Sequence, residues 1–520
     1  MNDIYRPKDR LSWLWLAVGA ILLPLTIFWK TIPIAAWLTP VFILRFTRTA
    51  KQPLMALLAV MLVHSLVYII AIYTEGFIWS RSVFLALCLA IAHTLSYLID
   101  RLLIRYLSPM LGTLVFPLTA TTIDWLLGVF SPRTSFASLA YNQAGNLPLQ
   151  QIVAITGIWG LTFLITCFAS VINAIWHVET LQVLHKKTSH LHKRAVRKTA
   201  LLFGSLLLLV LLFGGGRLAL FPPTSPTVRV AAIVPDRKLW NSTTEGIPMQ
   251  KLGQFSEQEW DTIRNRAAPV LDDLFARTQQ EARAGSKIIA WTEDAAPILK
   301  EDETNVIERA ATMAQREDIY LQIAIAPLLR TDKFPFMQNR AVMFAPSGKV
   351  VWEYDKTHPI PLKESRLFAP GRGIVPIVQT PYGRIATVIG DDADFPNLVR
   401  QAGQMHADLL LVPANDDKNI KLSHPQTATF RAIENGVNIL RPTINGDSLA
   451  IDYQGRVLGM TDSFGSTQPV MVASVPTRGV NTIYTHTSDR FVYLGVAGLL
   501  AIIALAMKGS RLRGLRFFDY

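Results

Sequence analysis

A polytopic α-helical membrane protein carrying an inserted α/β domain is the fold class this sequence predicts, and three observations predict it. Seven apolar stretches crowd into the first 220 residues and an eighth lies near the C-terminus. Between Thr227 and Asn481 the texture changes to short β-branched runs alternating with amphipathic helical patterns. The composition, 50% hydrophobic and only 17% charged over 520 residues with a mean hydropathy of +0.29, excludes disordered, fibrous and disulfide-stapled classes. A chain this long also exceeds one compact core.

The elements follow in chain order. A bilayer core of about 30 Å needs about 20 mostly apolar residues in a helix, because hydrocarbon offers no partner to an unpaired backbone group. Leu11–Trp29, Thr31–Ile43, Pro53–Tyr73, Phe77–Ile99, Leu107–Phe130, Leu149–Trp176, Leu201–Leu220 and Phe491–Met507 meet that requirement, the second being the shortest. The first follows the basic residues Arg6, Lys8 and Arg10, but its apolar run is longer than that of a secretory signal and no small-residue cleavage site follows, so it reads as a retained helix. The domain plan is therefore a helical region 1–220, a proline-rich linker 221–227, an α/β domain 228–489, a closing span 490–507 and a basic tail 508–520.

Within the α/β region, Val228–Val234, Lys287–Glu293, Asp318–Ala326, Gly383–Gly390 and Asp408–Ala414 read as strands, and Gln258–Ala284, Thr304–Glu317 and Thr427–Glu434 as helices. Strands alternating with helices give an α/β layer architecture.

Charge sets the expected sidedness. The net charge is +13, from 51 basic and 38 acidic residues. With the N-terminus inside, the segments Met1–Arg10, Arg45–Lys51, Asp100–Arg105, Val178–Thr199 and Lys508–Tyr520 face the cytoplasm and carry the whole excess, whereas the outer loops carry only Lys30, Arg81 and Arg133. The α/β domain is then extracytoplasmic, and the run Lys186, Lys187, Lys193, Arg194, Arg197 and Lys198 is a topological anchor, so no nucleic-acid partner is expected. Cys88 and Cys167 fall within membrane helices, and His358, His406 and His424 are widely spaced, so neither a metal site nor any cofactor is expected.

Several stretches resemble the nitrilase (carbon-nitrogen hydrolase) superfamily and, taken with the membrane half, its bacterial apolipoprotein N-acyltransferase branch. Ala140–Gln143 (AYNQ) and Pro148–Ile165 are similar to that branch's loop and following helix. Trp291–Pro297 (WTEDAAP) resembles the motif W-P-E-x-A-x-P, Asn339–Glu364 resembles the stretch built on Y-D-K-x-H, and His424–Ser448 resembles a later segment. The resemblance implies an αββα sandwich, a place in the bacterial inner membrane with the domain on the periplasmic side, and membrane phospholipid and a lipoprotein N-terminus as partners.

It also implies a carboxylate base at Glu293, an oxyanion-stabilising lysine at Lys356 and a second carboxylate at Glu364. The family's nucleophile motif, G-x-x-x-x-x-I-C-Y-E/D-x-x-F-P, aligns with Gly383–Pro396, GRIATVIGDDADFP, and puts Gly390 where the cysteine belongs. No Cys, Ser or Thr lies between Ile389 and Pro396 to take its place. Asp391 or Asp392 could serve as a carboxylate nucleophile or position a water; the alternative is a solvated acidic turn with Asp394, leaving Glu293 and Lys356 as a residual ion pair. A second departure is Ala414–Asn419, ANDDKN, with Lys418 where an aromatic of a lipid-gating loop is expected. Lys238 and Trp240 resemble a family feature, although a lone Trp near a bilayer also reads as an interfacial anchor. Two functions of different class stay open: an acyltransferase or amidase with a replaced nucleophile, and a non-catalytic lipid- or lipoprotein-binding protein.

Overall fold

The computed structural model describes residues 9–27, 32–74, 79–131, 134–183, 190–247, 249–361, 363–416, 423–465 and 470–512. The chain divides into a helical unit, Met1–Leu220 with Thr487–Tyr520, and an α/β unit, Phe221–His486.

The helical unit contains α1 (Ser12–Leu22), α2 (Pro33–Thr49), α3 (Pro53–Thr74), α4 (Trp79–Leu103), α5 (Pro109–Phe130), the one-turn helices α6 (Leu147–Gln150) and α7 (Val153–Thr156), α8 (Trp159–Val183), α9 (His190–Leu220) and a closing helix Arg490–Leu512. Among the described residues six helices are long and apolar enough to cross a membrane: those built on α3, α4, α5, α8, α9 and the closing segment. Many of their large apolar side chains, such as Leu62, Phe84, Leu208 and Leu494, are exposed, as lipid-facing surface requires.

Three sequence expectations change here. The first expected span shortens to a helix of 11 residues that gives way to a 3₁₀ turn at Pro24, whereas the second runs on past Ile43 as a helix of 17 residues ending at Thr49. The expected span Leu149–Trp176 is broken, because Gly157 adopts φ +64° and ends α7 before α8 begins. The third concerns charge: Arg45, Arg48, Asp100 and Arg101, read as loop residues, lie within helices, and Arg45, Asp100 and Arg101 are buried. Arg48 holds Asp100 through two hydrogen bonds of 2.8 Å and reaches Ser170, while Arg101 donates to the carbonyls of Thr47 and Ala50. Lys193, Arg194, Arg197 and Lys198 fall on the first turns of α9, which at 31 residues is about 46 Å long and exceeds a bilayer core. Arg6, Lys8, Lys30, Arg133, Lys186 and Lys187 lie outside the described residues.

Among the described residues the α/β unit has fifteen strands: β1 (Thr227–Ile233), β2 (Ile288–Trp291), β3 (Pro297–Leu299), β4 (Tyr320–Leu328), β5 (Arg340–Phe344), β6 (Val350–Asp355), β7 (Ile377–Thr380), β8 (Gly383–Thr387), β9 (Leu409–Leu411), β10 (Ala414–Asn415), β11 (Asn438–Arg441), β12 (Thr443–Ile444), β13 (Asp447–Ile451), β14 (Val457–Asp462) and β15 (Val470–Pro476). One sheet runs β15-β1-β2-β4-β5-β6 with β3 added beside β4, and the second runs β14-β13-β11-β9-β8-β7. The helices that cover the sheets are α10 (Arg237–Thr244), α11 (Glu257–Arg283), α12 (Glu303–Arg316), α13 (Pro396–Gln404) and α14 (Ser423–Asn435), with a short helix Ile483–Thr487 at the end of the unit.

Strand periodicity explains the layers. In β1 and β2, Val228, Val230, Ala232, Ile288 and Ala290 face Ile385, Leu409, Leu411 and Leu440 of the other sheet. Their alternates Ala231, Ile233, Ile289 and Trp291 face Val270, Leu274 and Phe275 of α11 and Ala310 and Met313 of α12. On the far side, Leu398 and Val399 of α13 and Ala428 and Ala432 of α14 cover Ala386, Leu410 and Ile439. The result is the αββα sandwich. Its longest helix, α11, starts where Ser256 and Glu259 satisfy each other's backbone N–H in a capping box.

Candidate active site

Strand ends of both sheets converge on one buried group of polar side chains. Glu293 follows β2 and is 2% exposed; Lys356 follows β6 and is 1% exposed. The register of the β5–β6 hairpin, Arg340 opposite Asp355, sets Asn339 beside Lys356, and Lys356 N–H donates to the Asn339 carbonyl at 2.9 Å. From there Lys356 Nζ donates to Glu293 Oε1 at 2.9 Å and to Glu364 Oε1 at 3.0 Å, with Glu364 Oε2 in ion-pair contact at 2.8 Å. Asn339 Nδ2 donates to the same Glu293 oxygen at 2.7 Å, and the Asn415 N–H of β10 donates to Oε2 at 2.9 Å. Next door Thr292 ties the end of β2 to the small parallel pair β10–β12, donating to the Ala414 carbonyl and accepting from the Ile444 N–H.

Gly390 closes this group from the second sheet. Its N–H donates to the Pro413 carbonyl at 2.8 Å, and its φ of +51° is a conformation side-chain-bearing residues rarely adopt. A Cβ there would stand 2.4 Å from Glu293 Oε2 and 3.1 Å from its Cδ. The Glu293 carboxylate thus occupies the room a side chain at 390 would need.

Residues 268–483 match the family Carbon-nitrogen hydrolase, and residues 19–171 match the Apolipoprotein N-acyltransferase N-terminal domain. The chain belongs to the apolipoprotein N-acyltransferase-like branch of the carbon-nitrogen hydrolase superfamily. Among its relatives, the apolipoprotein N-acyltransferase of Geobacter metallireducens is 26% identical over 76% of this chain and 74% of its own length. Apolipoprotein N-acyltransferase 2 of Treponema pallidum is 25% identical over 66% and 67%. An amidase from Nesterenkonia sp. superposes with a TM-score of 0.38 at 16% identity, covering 52% of this chain and 97% of that one.

The nitrilase-like site brings together Glu293, Lys356, Glu364 and Gly390, as the motif positions anticipate. It departs from expectation in the acidic turn Gly390–Asp394, which is not solvated: Asp392 is 0% exposed and Asp394 is also buried. Asp392 Oδ2 accepts from the Tyr354 hydroxyl at 2.7 Å and the Thr357 N–H at 3.0 Å, and Oδ1 accepts from the His358 N–H at 2.8 Å. It is buried because it satisfies the loop that carries Lys356, and with its oxygens so engaged it is a poor nucleophile. Asp391 is half-buried and close enough for its charge to act on Lys356.

Trp240 is not a free interfacial anchor. It is half-buried on α10, and its indole N–H donates to the Asp294 carbonyl at 2.8 Å. His424 is likewise not isolated: with Asp391 and Asp394 it forms a group whose ligand atoms lie within 4.8 Å of one another, a set that could hold a metal ion. This juxtaposition arises because α14 begins beside the turn after β8, a proximity that spacing along the chain conceals. Lys418 lies outside the described residues.

Sequence reasoning passed over Asn339 and the Asn415 N–H. The first was accessible in principle: counting back from the Ser347–Gly348 turn along the hairpin puts Asn339 opposite Lys356.

Electrostatics follow from burial. It pushes the Glu293 carboxyl up to about 8 against the opposing pull of the Lys356 ammonium, and raises Asp294 to about 6. Burial also works against the Lys356 ammonium, yet the charges of Glu293, Glu364 and Asp391 outweigh it and hold that group well above the ordinary lysine value. A carboxyl that keeps its proton more tightly folded than unfolded makes stability fall as pH rises, here from about 4.5 to about 8. Glu293→Gln should remove that contribution. Melting temperatures of wild type and variant across this window check it, and parallel curves would refute the assignment.

Proposed function

We propose that this membrane protein holds phospholipid acyl chains and a lipoprotein N-terminus in its carbon-nitrogen hydrolase unit without forming a thioester. Gly390 carries this reading: the position has no side chain, and the space for one is taken by Glu293 Oε2. A covalent mechanism without its nucleophile loses the step that the carboxylate and lysine only assist. The ligand classes come from the relatives, whose names make them apolipoprotein N-acyltransferases. Those relatives are bacterial, and the basic residues at the start of α9 support a cytoplasmic location for that end, hence a bacterial inner membrane with the α/β unit outside. Protease added to intact spheroplasts should therefore digest that unit, and protection would reverse the orientation.

One observation supports a second reading. Asp391 adjoins the vacated position and lies within electrostatic reach of Lys356, so its carboxylate could accept an acyl group as a mixed anhydride. Purified protein incubated with phospholipid and a diacylated lipopeptide separates the two. Under the binding reading, mass spectrometry finds the lipids retained and neither an acyl-enzyme nor an N-acylated peptide. An acyl adduct on Asp391 that Lys356→Ala abolishes would establish the catalytic reading, and failure to retain either lipid would sink the binding one.

A further inference from the structure

The helical unit contains titratable side chains that neither function uses. Asp124 of α5 is buried, and its Oδ2 accepts from Ser138 Oγ at 2.7 Å and Thr162 Oγ1 at 2.6 Å. It lies within electrostatic reach of His93 on α4. The Tyr68 hydroxyl of α3 is 3.2 Å from His93 Nδ1, and the His64 ring stacks on the His93 ring at 6.2 Å with an interplanar angle of 8°. His64 is 6.1 Å from the ring of Tyr97, and Tyr97 stands one turn from Asp100, which Arg48 holds.

Tyr68, His93, His64 and Tyr97 make one contiguous group, with Asp124 and Asp100 toward its two ends. At 1.5 Å per residue from the end that α4 and α5 share, Asp100 lies about 5 Å deep, His93 about 15 Å and Asp124 about 22 Å, most of the way across a core of about 30 Å. A charged side chain at mid-membrane costs about 3 kcal/mol or more, so ionisable residues survive there chiefly where they act. Two histidines, two tyrosines and an aspartate turned toward one another inside three apolar helices far exceed what packing needs. Each histidine also meets a backbone carbonyl through Nδ1, His64 at 2.9 Å to Val60 and His93 at 2.8 Å to Leu89. When Nδ1 carries that hydrogen, Nε2 is the nitrogen that can take up a further proton.

We propose that α3, α4 and α5 form a proton path through the membrane, ending at Asp124 and Asp100. A proton entering on the Asp124 carboxyl leaves by breaking that O–H bond as an N–H bond forms on His93. The His93 ring returns to neutrality by releasing a proton toward Tyr68 and His64, single waters bridging the wider gaps. Tyr97 relays it to Asp100, where a carboxyl O–H forms and is then lost at that end; the passage leaves the remaining His93 proton on Nε2 in place of Nδ1 and the relaying hydroxyls reversed, and rotation of that ring and those hydroxyls restores the starting state before the next proton passes. No oxidant or co-reactant is consumed.

The test uses the full chain in vesicles of phosphatidylethanolamine and phosphatidylglycerol, with a pH-sensitive dye inside and a potassium diffusion potential set by valinomycin. Wild-type vesicles should change internal pH several-fold faster than protein-free ones. Asp124→Asn and His93→Gln should return the rate to the protein-free level, and Tyr68→Phe, which keeps the ring packing and so tests the path even if the others fold poorly, should slow it. Equal rates for wild-type and protein-free vesicles, or a fast rate that all three variants keep, overturns the proposal. Lipid retention by the α/β unit is unaffected by either outcome, so the two readings fail separately.

Discussion

Replacing Lys356 by methionine should destabilise the α/β unit more than any other single change at the site. Lys356 Nζ pairs with both Glu293 and Glu364, at 2.9 and 2.8 Å, and it is almost wholly buried. Methionine fills the same channel, so the loss is electrostatic rather than a cavity. Breaking a buried ion pair from one side costs about 3–5 kcal/mol, since the remaining charge keeps its desolvation penalty without its partner. For a unit of this size that corresponds to a fall in melting temperature of about 10 °C. The deficit should widen as pH rises above 8, where wild-type Glu293 ionises beside its lysine whereas the variant's carboxyl, without that cation, is held neutral and goes on losing stability to the ionised unfolded chain. Lys356→Met combined with Glu293→Gln should recover much of the loss, because the second change removes one of the stranded charges. Thermal unfolding of the three variants at pH 6 and pH 9 decides the matter. A single variant that melts with wild type at both values would mean that no buried pair exists.

How much of this was legible in the sequence depends on the range over which each feature is determined. Membrane helices are set by the apolar content of some twenty consecutive residues, and strands by alternation over five to seven, so α3, α5, β1, β2 and β8 fall close to where the sequence places them, whereas α9 begins eleven residues early because its basic first turns carry no apolar signal. Arg45 and Arg48 misled because a charge at the end of an apolar run resembles a loop; the compensating Asp100 is 52 residues beyond Arg48. The site divides in the same way. Glu293 and Lys356 stand at strand ends within recognisable motifs, but Asn339 and the Asn415 N–H reach Glu293 from 46 and 122 residues away. Asp392 looked like solvated turn chemistry because its donors, Tyr354 of β6 and Thr357 and His358 of the loop after it, stand 34–38 residues earlier. Sequence supplied the chemical types; only the packed sheets show which group satisfies which.

The same distinction governs the simplest attempt at repair, Gly390→Cys. By motif alone it restores the missing nucleophile and should restore acyl transfer. The geometry leads to the opposite expectation. At φ +51° a residue with a Cβ is strained by about 1–2 kcal/mol, and a Cβ 2.4 Å from Glu293 Oε2 must displace a carboxylate held by Asn339, Lys356 and the Asn415 N–H. Overpacking of this kind adds about 1–3 kcal/mol. The variant should therefore melt several degrees below wild type and, incubated with phospholipid, form no thioester detectable by mass spectrometry. Glu293→Asp in the same chain draws the carboxylate back by one methylene and should relieve part of the clash, so the double variant should be more stable than the two separate losses imply. A Gly390→Cys protein that is as stable as wild type and acylates on the new cysteine would show that Glu293 yields the position readily. The chain would then be one substitution away from a thioester mechanism, whereas the packing around Glu293 leaves a side chain at 390 no room.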